Sequence, residues 1–413
     1  MADKIVLAYS GGLDTSVAIK WLADKYKMEV IALTADIGGV SDLPSIQKKA
    51  VKVGAVKALT VDAKELFINS FVFPALQANA IYEGQYTLAT ALGRPLIAKL
   101  LVAAARSEGA VAVAHGSTGK GNDQVRFDVS VAILAPELKI IAPARDWGMT
   151  REETIAYAKK HGIPIPITAA SPYSIDENLW GRSIECGVLE DPWTEPPEEA
   201  FAWTESQTKA PDKPDYVEIG FEKGKPISLN GKKVDGVTLI QRLNKLAGKH
   251  GVGRVDHLES RLVGIKSREV YEAPAATVLL KAHQALEAMT LSRHQLRFKE
   301  KVASEYADII YNGLWFTAFR QDLAAYVESS QKHVVGTVRV KLFKGNCSVV
   351  GRKSPVSLYD YSLATYDKGD VFEQSASLGF IHIWGLPLKI QAQVQGSTEQ
   401  DVSKKKPRGK SKA

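Results

Sequence analysis

The sequence predicts an α/β protein: a doubly wound, mostly parallel sheet over residues 1–168, an α+β domain over 169–365, an apolar C-terminal arm over 366–396 and a disordered basic tail over 397–413. Three observations predict it. Short apolar runs alternate with helical patterns through the first 165 residues, as in sheets covered on both faces by crossover helices. Beyond residue 170 the texture changes to paired alternating runs and longer helical patterns. The tail holds six Lys/Arg against two Asp/Glu and almost nothing apolar.

In order, "KIVLAY" reads as a buried strand and 14–26 as a helix with Val17, Trp21 and Leu22 on one face. "EVIALTADIG" is a second strand, and "SDLPSIQKKAVKVG" is a helix opened by a cap and a proline and closed by glycine. "KALTVDA" is a third strand, 64–79 and 94–108 are helices, "AVAVAHG" and "LKIIAPA" are strands four and five, and a helix runs from Thr150 to Gly162. A proline- and acid-rich connector, "DPWTEPPEEAFAWTESQTKAPDKPDY", follows. "DYVEIGFEKGKPISLNGKKVDG" reads as two strands joined through an Asn230-Gly231 turn. Helices are expected at 237–250, 274–290 and 292–328, and a hairpin around Lys-Gly-Asn in "HVVGTVRVKLFKGNCSVVGRKS". The segment "FIHIWGLPLKIQAQV" is apolar enough to dock on another subunit or domain.

Composition narrows the classes. Hydrophobic residues at 45% and charged residues at 24% are globular values. No apolar run is long enough to span a bilayer, and no signal peptide is expected from "MADKIVLAYS". The two cysteines, Cys186 and Cys347, stand apart from each other and from any metal-ligand spacing, which suits a reducing cytoplasm. The net charge is +7, of which the tail supplies +4, leaving 7 − 4 = +3 for the body. That balance makes no case for a nucleic-acid surface or a membrane.

The loops after strands one, two and four, "SGGLDTS", "ADIGG" and "HGSTGKGND", all fall at the carboxyl edge of the sheet, where ligands bind in such folds. A glycine turn feeding a helix N-terminus offers backbone N–H groups to an oxyanion, and Ser10, Thr15 and Ser16 add hydroxyls. Neither GxxxxGK[ST] nor GxGxxG is present. Instead the loop carries Asp14. An acid beside phosphates repels them unless a bridging Mg²⁺ intervenes or the side chain turns to cap the helix.

"AYSGGLDTS" resembles the signature loop of N-type ATP pyrophosphatases. Together with "GRPLIAK", "AHGSTGKGNDQVRF", "YSIDENLWGRSIE" and "LESRLVGIKSREVYEAPAA", in that order, it resembles the argininosuccinate synthase family over about residues 4–395. The resemblance implies a ligase of two stages. The ureido oxygen of citrulline attacks the α-phosphorus of ATP and releases pyrophosphate; the amine of aspartate then displaces AMP from the citrullyl-adenylate. It implies an ATP site of Ala8, Tyr9, Ser10, Gly11, Gly12, Leu13, Asp14, Thr15, Ser16, Ala35 and Gly116, with Mg²⁺ at Asp14. Aspartate would be held by Thr118, Asn122 and Asp123, and citrulline by Tyr86, Thr90, Asn122, Arg126, Ser174, Ser183, Glu259 and Tyr271. Arg126 suits a carboxylate, because a guanidinium forks onto it as lysine cannot. Asp14 and Asp123 are the candidate catalytic carboxylates; for the proton of the attacking amine, Asp123 and an AMP phosphate oxygen are equal candidates. Taken singly, Tyr86 reads equally as packing, Ser174 and Ser183 as turn hydroxyls, and Glu259 as a surface ion pair. Where many members read "GTSLARP" this chain reads "ATALGRP", so a serine hydroxyl is missing at Ala91; either backbone atoms or Thr90 supply that contact, or citrulline is held more weakly. The resemblance also implies a homotetramer whose C-terminal segment crosses subunits. A tRNA-modifying adenylating enzyme of the same superfamily is the alternative; it would call for paired cysteines and a basic surface. A glutamine-dependent amidotransferase lacks its glutaminase domain here, and a decayed nucleotide-binding protein would not keep Asp14, Asp123 and Arg126.

Overall fold

The sheet order β3-β2-β1-β4-β5, all parallel, makes the first part of the molecule doubly wound. In this computed structural model, which describes residues 2–40, 42–164 and 172–396, the elements run β1 (Lys4–Ala8), α1 (Leu13–Tyr26), β2 (Glu29–Asp36), α2 (Leu43–Val53) and β3 (Lys57–Asp62). They continue with α3 (Lys64–Phe67), α4 (Phe73–Ala78), α5 (Ala89–Glu108), β4 (Ala112–Ala114), α6 (Asp123–Leu134), β5 (Lys139–Ile141), α7 (Pro143–Asp146) and α8 (Arg151–Lys160). Successive strand residues point to opposite faces. Ile5, Leu7, Val30 and Ala32 pack against Ala18, Ile19 and Leu22 of α1, whereas Val6, Ile31, Leu33 and Val113 pack against α5 and α6 through Leu101, Val102, Phe127 and Val131. The order reverses between β1 and β4, and the crevice above that switch point is the site.

All five expected strands form. The helix expected at 94–108 begins earlier, at Ala89, so Pro95 lies inside it rather than at its start. Leu88 at its entry is left-handed (φ 68°) and supplies no side-chain cap. The Tyr86 hydroxyl does so instead, accepting from the Thr90 and Ala91 N–H groups at 3.0 and 3.3 Å. The 64–79 helix carries a π turn at Ile68–Val72 between α3 and α4, and α6 had not been expected at all.

After residue 172 come β6 (Ser174–Asn178), β7 (Gly181–Glu185), β8 (Asp215–Glu222), β9 (Lys225–Leu229), β10 (Lys232–Lys233), α9 (Gly236–Lys249), β11 (Arg254–Ser260) and β12 (Lys266–Glu272). Then follow α10 (Pro274–Thr290), α11 (Arg293–Tyr311), α12 (Ala318–Ser330), β13 (Gly336–Phe343) and β14 (Asn346–Lys353). They build two antiparallel sheets, β10-β9-β8-β13-β14 and β11-β12-β7-β6. Asn230-Gly231 joins β9 to the short β10; the β8–β9 turn is Lys223-Gly224, also left-handed at both residues (φ 49° and 72°). The helix expected over 292–328 is broken at Gly313, whose φ is 75° and where a Cβ would lie 2.7 Å from the Cα of Arg126. The β6–β7 turn docks on the parallel sheet. Leu179 N–H bonds the Ile37 carbonyl (3.0 Å), Asn178 Nδ2 the Ala89 carbonyl (2.8 Å) and Trp180 Nε1 the Thr87 carbonyl (2.8 Å).

The chain divides into two compact units, Met1–Leu358 and Tyr359–Ala413. The expected 168/169 boundary and the tail 397–413 lie outside the described residues. Within the second unit, α13 (Tyr361–Ala364) is short, and α14 (Ala376–Gln395) contains Pro387 and buries none of its residues.

Candidate active site

A cleft of about 820 Å³ opens above the switch point, between the parallel sheet and the β11-β12-β7-β6 sheet. Of the expected residues, Ala8, Tyr9, Ser10, Gly12, Leu13, Asp14, Thr15, Ala35, Tyr86, Thr90, Gly116, Thr118, Asn122, Asp123, Arg126, Ser174, Ser183, Glu259 and Tyr271 all line it. Gly11 and Ser16 do not, and they shape the loop from behind. Gly11 needs its left-handed φ of 79°. Ser16 Oγ donates to the Gly12 carbonyl (2.6 Å) and meets the Tyr9 hydroxyl (3.1 Å).

Gly12 begins α1 without any side-chain cap, so the first-turn N–H groups stay available to a ligand. The loop is braced: Lys49 Nζ donates to the Gly11 carbonyl (2.6 Å), Thr34 Oγ1 to the Tyr9 carbonyl (2.8 Å), and Ser10 Oγ pairs with Thr15 Oγ1 (3.1 Å). At Gly116 a Cβ would come within 2.7 Å of Thr15 Cγ2, so the loop after β4 presses on the first turn of α1. Asp14 is not a cap. It stands in the first turn, exposed and without a hydrogen bond among the described residues. Surrounding protein raises its pKa above the ordinary carboxylate value, and Arg151 offsets part of that. One accessible, unpaired carboxylate beside a phosphate loop fits Mg²⁺, which takes one or two carboxylates and completes its shell with phosphate oxygens and water. No cluster of three or more His, Cys, Asp or Glu able to hold a metal occurs among the described residues.

Asp123, at the start of α6, is gripped by two guanidiniums: Arg94 Nε at 2.7 Å and Arg126 Nη1 at 2.8 Å. Arg94 also donates to Asp176 of β6. Burial opposes the Asp123 charge, but the two arginines outweigh it and hold the carboxyl below its usual range. Arg126 Nε donates to the Tyr311 carbonyl (2.9 Å), which leaves Nη2 buried with no partner among the described residues. Glu259, only 3% exposed, accepts from the hydroxyls of Tyr271 (2.5 Å) and Tyr311. Tyr271 stacks on Tyr86 with centroids 4.4 Å apart. A buried unpaired cation edge thus faces the same space as a buried acceptor, a pairing that suits an amino acid's carboxylate and ammonium.

Residues 4–164 match the family model described as "Arginosuccinate synthase N-terminal HUP domain", and 173–391 the one described as "Arginosuccinate synthase C-terminal domain". The chain belongs to the argininosuccinate synthase family. The argininosuccinate synthase of Dehalococcoides mccartyi is 62% identical over 405 residues, covering 98% of this chain and all (100%) of that one. That of Oceanobacillus iheyensis is 59% identical over 394 residues, covering 95% of this chain and 94% of its own. That of Symbiobacterium thermophilum is 60% identical over 395 residues, covering 95% and 98%.

This member of the argininosuccinate synthase family has further cleft residues that sequence reading missed: Arg94, Asp176, Glu185, Arg261 and Glu269 line the cleft as well. Arg261 Nη2 bridges Glu185 (2.7 Å) and Glu269 (2.6 Å). All five lie inside the quoted motifs, so the signal was present but unassigned. Tyr311 lies in none of them; it ends an amphipathic helix and reaches the site only through tertiary packing. Ala91 is fully buried and does not line the cleft, whereas Thr90 does.

Proposed function

We propose that this chain is an ATP-dependent ligase that joins L-citrulline and L-aspartate into argininosuccinate through a citrullyl-adenylate, releasing pyrophosphate and AMP. The observation that carries the reading is one cleft holding an uncapped glycine-loop helix, an unpartnered Arg126 Nη2 and the buried carboxylate of Glu259. The first turn of α1 binds the β and γ phosphates, so charge developing on departing pyrophosphate meets oriented N–H dipoles. Asp14 would hold the Mg²⁺ that accompanies ATP, and this ion would neutralise charge on the leaving group. Arg126 takes the citrulline carboxylate and Glu259 its ammonium, which presents the ureido oxygen to the α-phosphorus. The Tyr86 hydroxyl already accepts two N–H groups, so its own proton is left for citrulline. Burial keeps that proton on: the Tyr86 pKa lies well above the ordinary phenol value.

In the second stage the amine of aspartate attacks the ureido carbon and the bond to the AMP oxygen breaks. Thr118 and Asn122 orient aspartate, and Asp123 pairs with its ammonium as it binds; that ammonium gives one proton to solvent, and the nitrogen attacks as the neutral amine. Held below the usual carboxylate range, Asp123 is a weak base, so an AMP phosphate oxygen takes the amine proton. Both stages gain chiefly from positioning. Two chain-level features complete the proposal: a homotetramer assembled through α14, and a cytoplasmic setting, supported by two free thiols and by no described helix long and apolar enough to cross a membrane. The tRNA-modifying alternative lacks a poised thiol, because burial pushes Cys347 up to about 11 and raises Cys186 too.

The test measures pyrophosphate and AMP from ATP with citrulline and aspartate added singly and together. Pyrophosphate should require citrulline, and AMP should require both. AMP formed equally without aspartate, or with glutamine in its place, ends the assignment.

A further inference from the structure

We infer that Tyr311 is the positioning residue of the amino-acid head-group site, setting Glu259, Asn122 and Arg126 in the relative placement that citrulline's ammonium and carboxylate require. The choice of citrulline rests on the ligase reading above. Tyr311 touches all three groups, two through its hydroxyl and the third through its carbonyl and ring. Its hydroxyl donates to Glu259 Oε1 and accepts from Asn122 Nδ2 (2.8 Å). Its main-chain carbonyl accepts from Arg126 Nε (2.9 Å), and its ring lies 4.9 Å from the same guanidinium. Glu259 belongs to β11, Arg126 to α6 and Tyr311 to the last turn of α11, so one side chain ties three elements together.

The tyrosine is itself fixed. Its ring stacks on Tyr82 at 3.6 Å and 5°, and the Tyr82 hydroxyl donates to the Ser260 carbonyl (2.9 Å), next to Glu259. The helix break at Gly313 brings the turn against Arg126; any Cβ there would sit 2.7 Å from the Arg126 Cα. The consequence is directional. With Nε on Tyr311 and Nη1 on Asp123, Nη2 is the Arg126 nitrogen left without a partner among the described residues, and it is the one offered to a substrate carboxylate. With Leu262 N–H on Oδ1 and the phenol on Nδ2, Asn122 is held from both ends. Burial first, and Glu259 second, push the Tyr311 phenol well above its ordinary range, so it stays a donor and Glu259 stays an acceptor.

The test is Tyr311→Phe in the full chain. Phenylalanine keeps the ring stack, the cation contact and the main-chain acceptor, and deletes only the hydroxyl. The KM for citrulline should rise at least about tenfold, the worth of one buried hydrogen bond to a charged group, with the KM values for ATP and aspartate little changed. In a Glu259→Gln background the same substitution should add little, because the two side chains act as a unit. An unchanged citrulline KM overturns the proposal, as do a full additional loss in the Glu259→Gln background and a parallel rise in all three KM values with a matching loss of Tm. A wild-type chain that turns over while the variant does any of these overturns the proposal alone. A wild-type chain with no citrulline-dependent pyrophosphate release overturns the ligase reading and the proposal with it.

Discussion

Asp123 sits between two guanidiniums, and that placement decides how the site responds to acid. Its folded-state pKa is lowered, so its contribution to stability is present above the unfolded pKa and is lost as pH falls through the folded one. Arg94→Gln removes one of the two cations that offset burial. The acid loss of Tm should then begin at a higher pH in the variant than in the wild type. Superimposable Tm-against-pH curves would show that Arg94 does not govern this carboxylate. Asp14 makes a different prediction, since it has no hydrogen-bond partner among the described residues and Arg151 acts on it only at a distance. Asp14→Asn should lower turnover most when Mg²⁺ is limiting and should change citrulline binding least; identical magnesium titrations would remove Asp14 from the metal role. At this scale the sequence was legible where chemistry dictates residue type locally, as at Gly11 with its left-handed φ and at the uncapped Gly12. Arg94 and Tyr311 escaped because each earns its role from partners far along the chain, Asp176 and Glu259 among them.

Most strands of the parallel sheet were legible from apolar runs. β1, β2 and β4 bury nearly continuous ones, such as "KIVLA" and "AVA", whereas β3 at the sheet edge buries none of its residues and was readable from its β-branched residues and flanking helices. β6, β7, β11 and β12 were not, because "SIDEN" and "KSREVYE" turn their polar faces into the cleft and toward buried ion pairs. Glu272 of β12 is fully buried. It accepts from Arg182 Nη1 (2.7 Å) of β7 and from the N–H groups of Ala202, Trp203 and Thr204 (3.0, 2.8 and 2.8 Å). That carboxylate fastens the connector to the two strands. Glu272→Ala leaves a buried guanidinium and three N–H groups without their acceptor, which should cost about 3–5 kcal/mol. Denaturant midpoints at constant slope would check this, and a loss below about 1 kcal/mol would show that water replaces the carboxylate. The α5 entry has the same lesson in reverse. The helix expected from residue 94 starts five residues earlier, at Ala89, where Tyr86 from the preceding bridge caps it.

At the scale of the whole molecule, the first unit contains complete apolar cores of its own, whereas the second unit shows none among its described residues. On α14, Phe380, Ile381, Ile383, Trp384, Leu388 and Val394 are each between 62% and 79% exposed. Spaced at 100° per residue, these six positions fall within an arc of about 160°, one broad face of the helix. A wide apolar face of this kind packs against a core or a partner, and exposed apolar area of this extent marks an interaction surface. In the homotetramer proposed above, other copies of the chain would cover it. Truncation after Leu358 should leave a folded first unit that sediments as a smaller species, and Trp384→Ser should weaken assembly without unfolding that unit. Light scattering across a dilution series separates the outcomes. A truncated chain that keeps the full-length assembly state would place the subunit contacts on the first unit instead, and α14 would then need another partner to hide its apolar surface.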